Sequence, residues 1–598
     1  MIALRLFFYS LCLLGASTFA EAGQAYFDKF MAYTQWSQHI PTSPDPQFDD
    51  FIKNPSPLTQ KLRERWLYQL ARNKDWAMFN QYYRGSTDAN LQCYEQMALY
   101  NQGKQQQAIQ SSAKLWLHGD SQPKACDELF NLLIKNNDLD DTLILKRVAL
   151  ALNQNNVSLA RYLLKQSKPA RQNDADLLTT INQNPTRILQ LAPSTLHGEF
   201  YLYGLKLMVP RNINQAILFW KNPKSKLLMN EAQQQAFLAH IALYKATRNQ
   251  PDAPLWFAQV KPAFYTDTLL EWEIRVALTH KQWQQVLNLI SYSKDKNEPC
   301  WQYWQARALS ALGSQEKADD IYQNLAPKRN YYGFLASIKL KKKFNFENEQ
   351  GASDSQLLKP YKPITDDVKN LYTNHQVLTA SRLLNDFVIE LPKNEKIALA
   401  HWIANDLHWY GKSVYLSNNS ELNNQLSLRF PLLYQQSIRD SANNYQIPSE
   451  FIYAVIRQES EFHDDIVSPA GANGLMQIMP RTAKVVAQLA KISYSNPKQL
   501  FLSHININIG AAYLQLLAKQ FGKHPVLMAA AYNAGPRQVN YWIKNHPPKD
   551  IDLWIETLPW RETRNYLKNI IAFYAVYQYR MQEKPNLDAF MQPFQDKS

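Results

Sequence analysis

The chain predicts an all-α protein: a long N-terminal solenoid of stacked helix pairs, a small helical linker domain and a compact C-terminal domain. Three observations carry that expectation. Glycine is scarce, at 16 of 598 residues, against about 7% in ordinary chains. Folds punctuated by glycine turns, such as sandwiches, barrels and doubly wound nucleotide binders, need more. From Gln24 to about Lys343 apolar residues recur at helical spacing in segments of roughly 12 to 18 residues, with almost no strand-like alternation. Finally, Trp272-Glu-Ile-Arg275 returns as Trp304-Gln-Ala-Arg307, a period of 32. Repeats in the thirties are paired helices that must stack on their neighbours to bury an apolar face.

The elements follow in order. Residues 1–22 have the form of a secretory signal peptide. Arg5 supplies the positive start, Leu6 to Leu14 the apolar run, and Ala20-Glu-Ala22 a small-residue cleavage site. The run is too short to span a bilayer, and no later stretch is long enough, so no transmembrane anchor is expected. The export signal implies an oxidising compartment. Of the cysteines beyond it, Cys93 and Cys126 can pair, which leaves Cys300 over. Residues 23–350 form the solenoid domain. The polar run Phe344 to Gly351 ends it, and residues 351–426 form the linker domain, with helices expected over 366–372, 376–390 and 393–407. A second polar patch, Ser417 to Gln425, precedes the last domain, 427–598.

Charge and spacing exclude several chemistries. Lys and Arg exceed Asp and Glu by 14, but thinly, without an arginine-rich arm, so an acidic matrix suits the surface better than nucleic acid. There is no C-x-x-C, no H-E-x-x-H and no close His pair with a carboxylate, so neither a metal nor a cofactor is expected. His401 and His408 around Asp406 read as surface or capping groups.

The chemistry concentrates where the glycines do, five of them lying between Gly471 and Gly535. Pro448 opens a helix with Phe451, Ile452, Ala454 and Val455 on its apolar face. Glu459, four residues beyond Val455, falls on that buried stripe near the helix end. An inward carboxylate beside apolar walls has its pKa raised, the state a general acid needs. Then come Gly471-Ala-Asn-Gly474-Leu-Met-Gln477-Ile-Met479-Pro480, Ala530-Ala-Tyr532-Asn533-Ala-Gly-Pro536 and Arg561-Glu562-Thr-Arg-Asn-Tyr566. The aromatics that follow, Phe573, Tyr574, Tyr577 and Tyr579, read as core.

These four motifs, in this order and spacing, resemble the catalytic domain of the soluble lytic transglycosylases, the lysozyme-like enzymes of the bacterial cell wall. The signal peptide and long helical part resemble the large periplasmic members. The resemblance implies a ring-shaped α-superhelical region, a linker and a lysozyme-like domain, in a soluble periplasmic protein. It implies Glu459 as the single catalytic acid/base, with Ser468, Gln477, Met479, Thr482, Tyr532, Asn533 and Glu562 along the saccharide groove. The substrate would be peptidoglycan glycan strands, cut between N-acetylmuramic acid and N-acetylglucosamine without water, leaving 1,6-anhydro ends. Glycosidases usually need two carboxylates, and Glu461, Asp464, Asp465, Glu556 and Glu562 are the available second members. A hydrolytic lysozyme on the same fold, or a noncatalytic wall-binding scaffold, are the alternatives. The solenoid either shapes access to glycan or docks other wall enzymes.

Overall fold

The computed structural model describes residues 25–594 apart from Pro44, Asn54, Lys168, 350–353 and Pro548. The proposed signal peptide lies outside these residues. The described chain is all-α: helix follows helix, and extended pairing is limited to two isolated bridges, Val467 to Asn473 and Asn473 to Ile478. No described helix is long and apolar enough to cross a membrane.

Internal contacts divide the chain into two compact units. Of the described residues, one comprises 28–245 with 255–265, and the other 25–27, 246–254 and 266–594. The first division therefore falls inside the stretch assigned from sequence to a single helical domain.

In the 28–245 unit, antiparallel pairs such as Ala89–Asn101 with Gln105–Trp116, and Asp141–Asn153 with Val157–Gln166, follow one another. Their starts are capped by side chains. Asp88, Asp140 and Asn156 each accept a backbone N–H of the first turn, satisfying donors the helix leaves open. Cys93 and Cys126, from two helices of this unit, are joined in a disulfide, and Cys300 is free.

The turns between paired helices amend the glycine argument. Positive-φ backbone occurs at Lys74, Asn137, Asn155, Lys281, Lys341 and His375 as well as at Gly103 and Gly313. Among the described residues seventeen such positions are non-glycine and seven are glycine. The scaffold does use left-handed turns; it fills them largely with asparagine and lysine, and asparagine tolerates αL better than most residues. Glycine scarcity thus reflects the filling of those turns as well as their number.

The second unit holds the linker helices and the C-terminal motifs. Lys362–Thr373, Val377–Glu390 and Lys393–Asn405 form where three linker helices are expected. One hydrophobic core runs from the helix pairs at 267–325 into the C-terminal helices. It includes Ile274, Trp304, Tyr322, Phe334, Ile452, Val455, Leu475, Met476, Ile507, Leu527, Trp554, Leu567 and Ile571, all at most 4% exposed. The helices Ser449–Glu459, Ser503–Gln520, Pro525–Ala534 and Arg561–Arg580 frame the site.

Candidate active site

Helix Ser449–Glu459 begins directly after Pro448 and buries Phe451, Ile452, Ala454 and Val455. Glu459 is its last residue and is half-buried. The helix ends there because Glu461 and Phe462 both take positive φ, +50° and +67°. Such backbone is strained for a bulky residue like Phe462, which is 2% exposed.

Burial is the main cause that raises the Glu459 carboxyl to about 7. Opposing it, the Tyr566 hydroxyl donates to Oε1 at 2.8 Å and favours the charged form. Repulsion from Glu562 adds a further upward push. The partial negative charge at a helix C-terminus works in the same direction. Glu459 is therefore poised between acid and base near neutral pH, as general acid–base work requires.

The Gly471–Pro480 segment is a compact turn system. Ser468 Oγ accepts from the Ala472 N–H at 2.9 Å, and the Ser468 carbonyl from the Gly471 N–H at 2.9 Å. Gly474 has φ +72°, and a Cβ there would lie 2.2 Å from the Leu500 carbonyl oxygen. Only glycine fits that approach. Gln477, at φ +47°, donates its side-chain amide to the carbonyls of Gly474 (2.9 Å) and Ile466 (3.2 Å). Met476 and Ile478 are buried, whereas Met479 is 40% exposed at the start of helix Pro480–Ala490, where Thr482 is half-buried. Of the apolar walls expected around Glu459, Met479 thus lies at the surface.

Tyr532, on helix Pro525–Ala534, donates its hydroxyl to the Met476 carbonyl at 2.7 Å. Its own ionisation is pushed well up by burial and by the Glu459 charge, which brings Tyr532, Tyr566 and Glu459 into one electrostatic neighbourhood. Asn533 accepts from the Thr563 hydroxyl at 2.7 Å. Glu562 is exposed at the first turn of helix Arg561–Arg580.

Three residues of this framework were missed from sequence. Tyr566 stands in a motif already singled out, but as a tyrosine in an aromatic-rich helix it gave no separate signal. Thr563 likewise shows its role only through Asn533. Asn506 is fully buried and holds the Gly474 turn: Oδ1 accepts from the Met476 N–H at 2.8 Å, while Nδ2 donates to Asn473 O (3.0 Å) and Leu500 O (2.7 Å). An asparagine between two isoleucines in the first turn of helix Ser503–Gln520 could have marked it, since a buried amide must find partners.

Of the other candidate carboxylates, all but Glu562 are engaged elsewhere. Glu461 pairs with Arg457 at 3.2 Å and accepts from Asn418. Asp464 and Asp465 line a separate cavity of about 580 Å³ with Trp409, Tyr410 and His463. Glu556 is 1% exposed in a buried ion cluster. No group of three or more His, Cys, Asp and Glu side chains among the described residues could hold a metal ion.

Comparison with known proteins places this geometry. Residues 436–555 match the Transglycosylase SLT domain, and residues 557–586 match the Soluble lytic transglycosylase helical domain. The second match covers the helix that carries Tyr566. The chain is 30% identical to the soluble lytic murein transglycosylase of Escherichia coli over 577 residues, 93% of this chain and 88% of the relative. The Salmonella typhimurium protein of the same description is 30% identical over 576 residues, with the same coverage. Among solved structures, an inactive glutamate-to-glutamine mutant of the lytic transglycosylase Slt from Pseudomonas aeruginosa superposes with a TM-score of 0.84. It is 29% identical and covers 96% of this chain and 95% of that one. The E. coli 70 kDa soluble lytic transglycosylase superposes at 0.75, with 28% identity over 95% and 94% of the two chains, and has also been solved with bulgecin A at a TM-score of 0.74. Likeness that runs nearly end to end in both sequence and fold, with the SLT domain spanning the Glu459 turn system, makes the chain a member of the soluble lytic murein transglycosylase family, a peptidoglycan lytic transglycosylase.

Proposed function

We infer that the enzyme cuts the β-1,4 bond between N-acetylmuramic acid and N-acetylglucosamine without consuming water, and that Glu459 is both acid and base. The observation that carries this is a single half-buried carboxyl raised to about 7 beside a tyrosine hydroxyl, while Glu461 and Glu556 are paired, Asp464 and Asp465 line another cavity, and Glu562, whose charge reaches Glu459, is exposed. Protonated Glu459 gives its proton to the leaving glycosidic oxygen. The carboxylate so formed takes the proton of the muramoyl C6 hydroxyl, whose oxygen closes the 1,6-anhydro ring on C1. Glu459 ends the cycle protonated, as it began. One group can serve both steps because its pKa lies near the working pH. Charge developing at C1 is offset by the substrate's own N-acetyl group, in place of a second carboxylate.

The groove residues divide by what they offer a glycan. Met479 presents an exposed apolar face for a sugar ring, and Gln477, Asn533, Thr482, Ser468 and Glu562 supply polar contacts. Tyr532, bonded to the Met476 carbonyl, shapes the floor. The reading keeps the domain boundaries 23–350, 351–426 and 427–598 and places the mature protein in the periplasm after removal of residues 1–22. The excess of 14 positive charges suits the lactyl and peptide carboxylates of peptidoglycan.

Product mass tests the reaction. Digestion of purified sacculi should release muropeptides one water lighter than those with reducing ends. Reducing ends throughout would instead establish a hydrolase, and Glu562, the acid whose charge Glu459 feels, would be its second carboxylate. Glu459→Gln should abolish release while leaving binding to sacculi intact; substantial residual turnover would remove Glu459 from its role.

A further inference from the structure

The repeated Trp-x-x-Arg of the helix pairs does something beyond stacking. Arg275, on helix Asp267–Thr279, and Arg307, on helix Pro299–Ala311, occupy equivalent places in the two copies. Each guanidinium lies over the tryptophan of its own copy, 5.5 Å from the Trp272 centroid and 5.6 Å from that of Trp304. Both then reach the short helix Ile551–Thr557 of the C-terminal region. Arg275 Nη2 pairs with Glu556 Oε1 at 3.2 Å and its Nε donates to the Glu556 carbonyl at 3.2 Å. Arg307 pairs with Asp552, which also accepts from the Tyr303 hydroxyl at 2.5 Å. Asp552 and Glu556 are four residues apart, so both carboxylates leave one face of the helix. One repeat holds each of them.

Glu556 carries the contact onward. Its Oε2 accepts from Tyr332 at 2.7 Å and from Lys568 Nζ at 2.9 Å. Lys568 sits on helix Arg561–Arg580, two residues beyond Tyr566 and so about 200° around the axis. That helix is gripped on one side by Glu556 and on the other touches Glu459. Burial alone would raise the Glu556 carboxyl, yet the Lys568 ammonium and Arg275 guanidinium hold it well below the usual carboxylate range. Buried ion pairs are poor stabilisers compared with apolar packing of equal volume, and their best attested use is to fix register.

We propose that this double clasp is a positioning device: Arg275, Arg307, Tyr332 and Lys568 set the rotation of helix Arg561–Arg580 through Asp552 and Glu556, and so hold the Tyr566 hydroxyl on Glu459. The proposal rests on the acid/base role of Glu459. The groups that face Glu459 are Tyr566 and Glu562 from the clasped helix and Tyr532 from helix Pro525–Ala534. On its own helix Arg457 is turned to Glu461 and Asn418. Around Lys568 stand Glu556 and the Tyr332 ring, with Cys300, Arg275 and Arg564 close to Glu556. Because the Tyr566 bond favours ionised Glu459, a loosened clasp moves the basic limb of the pH–rate profile to higher pH.

The test compares Lys568→Met, Lys568→Arg and Tyr332→Phe in the full-length chain, with sacculi as substrate. Lys568→Met and Tyr332→Phe should lower kcat, by up to about tenfold, with KM within about twofold and the basic limb displaced upward; Lys568→Arg should restore both. Wild-type kcat and pH profile in the two weakened variants, whatever happens to Tm, overturns the proposal. Should Lys568→Met fail to fold, Tyr332→Phe, which removes one hydroxyl, decides the matter. Glu459→Gln is assayed alongside. Full activity there sinks the acid/base reading itself, whereas an inactive Glu459→Gln with unaltered clasp variants sinks the clasp alone.

Discussion

The 28–245 unit and the turn system after Glu459 solve opposite problems with the same helical material. In the first, helices are capped by their own Asp and Asn side chains, left-handed turns are filled by Asn, Lys or Gly, and a disulfide ties two helices. Each piece satisfies itself locally. In the second, the chain leaves helix at Glu459 through strained Glu461 and Phe462, and a buried asparagine more than forty residues on closes the Gly474 turn. Ser468 and Gln477 are held locally, but the contacts that join the turn system to the rest of the site are long-range: Tyr566 meets Glu459 across 107 residues and Tyr532 meets Met476 across 56. A scaffold of local contacts tolerates change one turn at a time. A site assembled from distant pieces fails as a unit.

Four measurements test that contrast. The largest belongs to Glu459→Gln, expected to lose about 10²–10⁴ in kcat while the fold gains at alkaline pH. A carboxyl whose folded pKa is raised to about 7 contributes stability present below its unfolded value, and that contribution is lost as pH rises through 7. Glutamine has no such loss. The variant should therefore match wild-type Tm near pH 4 and exceed it at pH 8–9; a Tm equal to wild type at pH 9 would show the carboxyl is not so perturbed.

Next comes the scaffold. Replacing Cys93 and Cys126 together by serine should cost about 3–4 kcal/mol on the chain-entropy estimate and leave kcat unchanged at temperatures where the chain stays folded. A lost kcat there would show that the 28–245 unit reaches the chemistry. Within the turn system, Asn506→Leu keeps the volume but orphans the Met476 N–H and two carbonyls, at a cost of roughly 2–4 kcal/mol. Unlike the cysteine pair, it should lower activity as well as stability, read as kcat beside Tm. Smallest is Tyr566→Phe, which retains the ring and removes the bond to Glu459. The basic limb of the pH–rate profile should rise by less than a unit, with kcat reduced about threefold to tenfold on the scale of one charge-assisted hydrogen bond; an unmoved limb would leave the Tyr566 bond without effect on Glu459.

The legible part of the site was the part written in neighbouring residues. Two glycines and two methionines in ten residues announce a special turn, and the helical stripe ending at Glu459 announces an inward carboxyl. Tyr566 was not separable from the aromatics after it, because a tyrosine facing a carboxyl and one stacked in a core look alike in a helical pattern. Tyr577, stacked on Tyr453 at 4.9 Å, is the core case. Gly510 shows the same limit in reverse: it lies inside helix Ser503–Gln520, where the pattern marks no turn, yet a Cβ there would meet the Met476 sulfur at 2.2 Å, so it also shapes the turn.

Sequence alone determined the helical class, the succession of paired helices and the position of Glu459 on its helix, because each depends on spacing along a few turns of chain. Tertiary structure decided what Glu459 is. Its burial, the Tyr566 hydroxyl on it and the Glu562 charge near it come from elements about a hundred residues away. The same holds for the repeated arginines, visible as a pattern at 272–275 and 304–307: Arg275 has a local partner in Glu271, but the buried carboxylates Glu556 and Asp552 reach Arg275 and Arg307 from a helix 281 and 245 residues later. Periodicity is a property of neighbours, whereas a pKa is a property of whatever the fold brings within a few ångströms.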